Sequence, residues 1–163
     1  MHLLALFDPH ARSTQISPSR FTWIKPSELC HTLLRQHHDN QQRAFVVVDT
    51  RAEEEAVGGS VCGAIRSSNS LSQSEMGQLA AHYRAGRRVI FYCLRSQSRA
   101  PLAAQKLLQV IDAHGGRAAC EQEEFDSRVC VLEGGFAALL QEVISGMADM
   151  EHQVMVSLHE VCV

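Results

Sequence analysis

A helix-sheet-helix sandwich on a mainly parallel sheet, with helices on both faces, is the α/β fold that three features of this sequence predict. The runs Phe45-Val46-Val47-Val48 and Arg88-Val89-Ile90-Phe91-Tyr92 are continuous, apolar and β-branched or aromatic, as in strands buried on both faces. Segments with apolar residues at helical spacing alternate with them. The chain has 163 residues, 45 % hydrophobic and 20 % charged, which suits one packed domain and is too short for two full-sized ones.

Residues 1–20 carry Asp8-Pro9, Ser13-Thr14 and Ser17-Pro18 without a sustained period and are expected to form an N-terminal extension. A single domain is expected over 21–163. It opens with a short strand at 21–24 and a helix started by Pro26, Ser27 and Glu28, whose apolar face includes Leu29 and Leu33 and which the polar cluster 37–42 closes. The buried strand 45–48 ends at Asp49. An acidic helical turn at 52–57, a break at Gly58-Gly59 and an extended piece at 60–65 follow. Ser72 starts a helix through Met76, Leu79, Ala80 and Tyr83 that Gly86 ends. After the strand 88–92 and the polar loop 93–98, a helix is expected over 99–111, with Leu102, Ala103, Lys106, Leu107 and Val110 at helical spacing. A turn at 114–116, a solvated acidic stretch at 121–126, a third strand at 129–132 and a closing helix at 136–144 complete the chain.

Fifteen Lys and Arg against eighteen Asp and Glu leave a net charge of -3, so nothing favours nucleic acid or anionic lipid as a partner. No apolar run approaches the roughly 20 residues of a membrane span. Residues 1–7 lack a basic region and a cleavage site and read as a native terminus, not a secretory signal. The six cysteines are widely spaced without a C-x-x-C pair, which points to reduced thiols in a cytoplasmic protein. His114, Cys120 and Cys130 have gaps too irregular for a metal set, so no metal is expected.

Chemistry concentrates in Cys93-Leu94-Arg95-Ser96-Gln97-Ser98-Arg99, followed by Ala100-Pro101. A buried strand delivers a cysteine, five residues turn, and an arginine opens a helix. Such a turn can aim successive backbone N–H groups inward as a nest, the helix N-terminus adds partial positive charge, and Arg99 offers a two-pronged fork. Together they can hold a tetrahedral oxyanion, with Leu94, Arg95, Ser96, Gln97, Ser98 and Arg99 as its binding residues. The same field favours the thiolate of Cys93, a nucleophile aimed at the central atom of the anion.

Four landmarks in order make 21–144 resemble a rhodanese-type domain. Val48-Asp49-Thr50-Arg51 resembles that family's Asp-x-Arg strand end. Gly58-Gly59-Ser60-Val61-Cys62-Gly63-Ala64-Ile65 resembles its Gly-His-Ile-x-Gly-Ala segment, with Ser60 in place of the histidine. The cysteine loop is the third landmark, and Leu132-Glu133-Gly134-Gly135-Phe136 resembles the late Gly-Gly-aromatic turn. Within the family, sulfurtransferases generally carry a loop one residue shorter, whereas cell-cycle dual-specificity phosphatases and eukaryotic arsenate/antimonate reductases use Cys-x5-Arg, often followed by Gly-Pro. The present loop therefore resembles the oxyanion enzymes, although Tyr92 stands where they usually have histidine and Thr50 where the phosphatases have a second, protective cysteine.

The resemblance implies a Cys93 and Arg99 enzyme, an arsenate/antimonate reductase with tyrosine-phosphatase-type activity, with no bound cofactor and with glutathione and glutaredoxin as external reductant. A tyrosine or dual-specificity phosphatase, a thiosulfate sulfurtransferase and a non-catalytic binding module are the alternatives. Asp49 and Arg51 are expected as a structural pair under the loop, and Cys62 as a possible resolving thiol. Glu53, Glu54, Glu55 and Glu133 are the available acids, and the sequence does not choose among them.

Overall fold

The three apolar runs form the centre of one parallel sheet. The computed structural model describes residues 21–38, 44–56, 59–67, 70–114 and 128–146. Among these residues there are five strands: β1 (Thr22–Ile24), β2 (Phe45–Asp49), β3 (Ile65–Arg66), β4 (Arg88–Tyr92) and β5 (Val129–Leu132). They lie in the order β1-β5-β4-β2-β3, and every pairing is parallel, where the sequence alone predicts a mainly parallel sheet. Among the described residues the α-helices are α1 (Pro26–His38), α2 (Gln73–Arg84), α3 (Arg99–Ala113) and α4 (Gly135–Gly146).

Side-chain alternation along the strands divides the core in two. Val48, Val89, Phe91, Cys93, Val129 and Val131 pack with α2 and α3. Phe45, Val47, Ile90, Tyr92, Cys130 and Leu132 pack with residues of α1 and α4. Both faces are thus covered, the condition under which strands can be apolar throughout. Each fully buried aliphatic side chain here contributes about 1.5–3 kcal/mol.

Most boundaries fall where local chemistry puts them. Ser72 and Glu75 cap α2 reciprocally, each side chain taking the other's backbone N–H, and Gly86 leaves the helix at φ +81°. The acidic turn is a single 3-10 turn, Glu53–Ala56. The extended piece expected over 60–65 is shorter than the sequence predicts. Only Ile65–Arg66 pairs with β2, because Val61 and Ala64 close a turn through Gly63 at φ +69°. The extension at 1–20, the acidic stretch at 121–126 and the tail beyond 146 lie outside the described residues. Among the described residues no helix is long and apolar enough to cross a membrane.

The strand order fixes where a site can form. β4 is flanked by β2 and β5, and Asp49 and Tyr92 stand side by side at the carboxyl ends of β2 and β4. Connections leave these two strands toward opposite parts of the molecule, the kind of crevice in which α/β sheets bind ligands.

Candidate active site

Cys93 follows β4 directly and is 4 % exposed among Val48, Phe91 and Ala100. The loop beyond it is shaped by α4. A helix begins with N–H groups that have no partner within it, and here Phe136 N–H donates to the Cys93 carbonyl at 2.9 Å and Ala137 N–H to the Leu94 carbonyl at 3.0 Å. In a trans peptide the N–H points opposite to the C=O. The Leu94 and Arg95 N–H groups are therefore turned away from α4. Ser96 adopts φ +52°, the left-handed step that backbone nests use.

Gly135 permits this contact. A Cβ on it would lie 2.4 Å from the Cys93 oxygen, 2.7 Å from the Leu94 oxygen and 2.8 Å from the Arg95 nitrogen, and its φ is +66°. Gly135→Ala is expected to push the loop off α4, reducing turnover at least a hundredfold, on the rule that a shift of about 1 Å costs that much. Steady-state rates on the variant, with circular dichroism to verify folding, check this. Gly77, with nothing within 4 Å of its Cβ position, serves as the control.

Asp49 and Arg51 form a buried ion pair, Nη2 to Oδ2 at 2.7 Å and Nε to Oδ1 at 3.0 Å. Tyr92 Oη donates to Asp49 Oδ2 at 2.8 Å and Ser60 Oγ to the same oxygen at 2.9 Å. Burial pushes the Asp49 carboxyl up, but the hydrogen bonds and charge of Arg51 and the Tyr92 hydroxyl outweigh it and hold the group below the ordinary carboxylate range. Arg51 also donates to the Gly59 carbonyl at 2.6 Å and lies 3.8 Å over the Phe136 ring. This network ties the end of β2, the residue before the cysteine and the start of α4 together.

Tyr92 belongs to it and not to the thiol. Strand alternation sends its ring to the face opposite Cys93, where it stacks on Phe136, and burial raises its hydroxyl pKa. Ser60, at the family's histidine position, makes contacts of its own to Asp49 and Tyr92. Thr50 N–H and Oγ both bond the Tyr92 carbonyl, at 2.8 and 2.9 Å.

Arg99 opens α3 with its side chain 32 % exposed, and its Nη2 donates to Glu55 Oε2. The Arg99 hydrogen bond, a second from Ala52 N–H and the nearby arginine charges hold the Glu55 carboxyl below its usual range against the opposing effect of burial. Sequence reading missed this partner, since 44 positions separate the two residues and no local spacing connects them. Ser96 Oγ is buried without a hydrogen-bond partner, a donor held in reserve inside the loop. Leu94, Arg95, Gln97 and Ser98 are exposed, and Ser98 makes no capping bond to α3.

The remaining thiols differ. Burial pushes Cys30 and Cys130 up to about 11, which makes them poor nucleophiles. Cys62 is a free thiol of intermediate exposure in the turn before β3. Glu53, Glu54 and Glu133 are exposed. Among the described residues no group of three His, Cys, Asp or Glu could hold a metal ion.

Among the solved structures that match, three share this architecture over most of the chain. The As-Sb reductase of Leishmania major superposes with a TM-score of 0.57 at 22 % identity, over 81 % of this chain and 83 % of that one. Ygr203w, a yeast protein tyrosine phosphatase of the rhodanese family, gives 0.56 at 25 % identity over 81 % and 90 %. A second structure of Saccharomyces cerevisiae Ygr203w, described as a homolog of single-domain rhodanese and of the Cdc25 phosphatase catalytic domain, gives 0.50 at 23 % over 79 % and 86 %. No curated protein matches the sequence significantly. The rhodanese-like domain family matches residues 31–142, from α1 into α4, and the chain belongs to that family.

Proposed function

We propose that this chain is a thiol enzyme acting on small oxyanions, an arsenate/antimonate reductase first and a slower aryl phosphatase second. The observation that carries it is the 93–99 loop: a cysteine at the end of a central strand, its own carbonyl and that of Leu94 tied to α4, and an arginine after five residues. The N–H groups of 94–99 and the Arg99 fork bind the anion, and Cys93 attacks its central atom. Asp49 and Arg51 support the loop and do not react.

The state of Glu55 separates the two reactions. Phosphate ester hydrolysis needs an acid to protonate the leaving oxygen, and Glu55, the acid beside Arg99, is held ionised by it. Arsenate makes a smaller demand. Cys93 sulfur bonds to arsenic and an arsenic-bound oxygen leaves as water. A second thiol then attacks, the electron pair passes to arsenic, and two thiols become one disulfide as As(V) becomes As(III). Glutathione with glutaredoxin supplies the thiols, with Cys62 as the internal alternative. The reaction needs no bound cofactor or metal and suits a reducing compartment such as the cytoplasm. The phosphatase reading draws on Ygr203w, the more similar of the two solved proteins in sequence.

Side-by-side assays of arsenate with glutathione and glutaredoxin, p-nitrophenyl phosphate, and thiosulfate with cyanide test the proposal. Arsenate reduction is expected to be fastest, hydrolysis of the activated aryl ester slower, and sulfur transfer absent. Efficient sulfur transfer with neither oxyanion reaction would overturn it.

A further inference from the structure

The Arg99 fork already has a neighbour. Glu55 Oε2 accepts from Arg99 Nη2, and the same oxygen accepts from Ala52 N–H at 3.0 Å. The residue is also anchored through its backbone, because Arg51 Nη1 donates to the Glu55 carbonyl at 3.3 Å while Arg51 is locked to Asp49. The carboxylate is thus built into the side of the fork. Both partners keep about a third of their side chains exposed, so an ion from solvent can reach them.

Charge follows from this geometry. Asp49 cancels Arg51, and Glu55 cancels Arg99. An oxyanion entering the loop meets many N–H donors and little net positive charge from these pairs. Its first negative charge is met by the backbone donors and the free edge of the guanidinium. A second stands against the Glu55 carboxylate across one shared guanidinium, within the range at which like charges oppose each other.

The geometry points to Glu55 as a specificity-determining residue that makes the loop select singly charged oxyanions over doubly charged ones. The inference rests on the oxyanion reading of the loop and narrows its substrate class. Monovalent arsenate and antimonate are favoured, and phosphomonoester dianions and thiosulfate are disfavoured. The exposed charges of Arg95, Arg66, Lys106, Glu53 and Glu54 act on either kind of ion and remain when Glu55 is altered.

Perchlorate and sulfate are tetrahedral, inert toward thiols, and carry one and two charges at neutral pH. Their affinities can be read as protection of Cys93 from iodoacetamide, measured on the Cys93 peptide by mass spectrometry at constant ionic strength adjusted with chloride. In Glu55→Gln and Glu55→Ala, sulfate affinity relative to perchlorate is expected to rise about tenfold over the wild-type ratio. In Glu55→Asp, which keeps the charge, the ratio stays near wild type. If both ions protect Cys93 but the ratio moves less than about twofold in Gln and Ala, or both affinities fall together, Glu55 only positions Arg99 and the inference is overturned while the oxyanion loop stands. If neither ion protects Cys93 in any form of the protein, the loop is not an oxyanion site and both readings fall.

Discussion

Cys93→Ser is expected to remove arsenate reduction and aryl phosphate hydrolysis together, by roughly four orders of magnitude or more, as when other enzymes lose their nucleophile. The serine hydroxyl is not ionised near neutral pH and has no general base in this loop. Tyr92, the residue before it, points to the other face of the sheet. The variant should fold. At 4 % exposure a buried hydroxyl in place of the thiol costs about 1–3 kcal/mol if unpaired, which a domain of ordinary stability survives. Cys93→Ala avoids the buried hydroxyl and should be equally inactive, so loss of activity in both variants with native circular dichroism isolates the chemistry. Residual turnover within tenfold of wild type in either would remove Cys93 from the mechanism.

What could be read from sequence was whatever depends on local pattern. The strands 45–49, 88–92 and 129–132 announce themselves as apolar runs, and their alternation places Tyr92 and Cys93 on opposite faces. The helices follow from caps and apolar spacing. The edge strands are of three and two residues; the short strand expected at 21–24 is present as β1, whereas the bounds of β3 are set by its pairing with β2. Strand order is likewise a property of long-range contacts.

The site divides along the same line. Cys93, Arg99 and the five residues between them form a contiguous motif. The acidic run 53–55 reads in sequence as a solvated turn, and for Glu53 and Glu54 that is the exposure observed; Glu55 differs because the 3-10 turn and the Ala52 N–H swing it onto Arg99. Gly134-Gly135 reads as a turn, yet the second glycine also lets the start of α4 approach the Cys93 carbonyl, which no turn rule encodes. Ser96 at positive φ is hidden for a similar reason, since serine carries no sequence signal for the left-handed region.

Asp49→Asn is expected to destabilise the fold by about 3–5 kcal/mol, the cost of leaving a buried charge without its partner. Arg51 has no exposed side-chain surface, so its guanidinium cannot turn to water for compensation. The amide also presents an NH2 group to the Tyr92 and Ser60 hydroxyls, both of which now donate to Asp49 Oδ2. Glu28–Arg88 is the contrasting case, an ion pair at 3.1 Å between side chains 53 % and 42 % exposed, where Glu28→Gln should change stability by less than about 1 kcal/mol. Urea unfolding checks both, the midpoint falling steeply in Asp49→Asn at unchanged slope and little in Glu28→Gln. The pH dependence has a definite sign. Because folding lowers the Asp49 pKa, the unfolded chain binds the proton more readily, so the stabilisation is complete above the ordinary carboxylate pKa of about 4 and is lost as the pH falls below it through the folded value. Wild type should therefore lose stability in acid more steeply than Asp49→Asn, which lacks the titrating group, and the two curves should converge as the pH drops. Parallel curves across that range would mean that Asp49 and Arg51 do not carry the charge coupling their geometry implies.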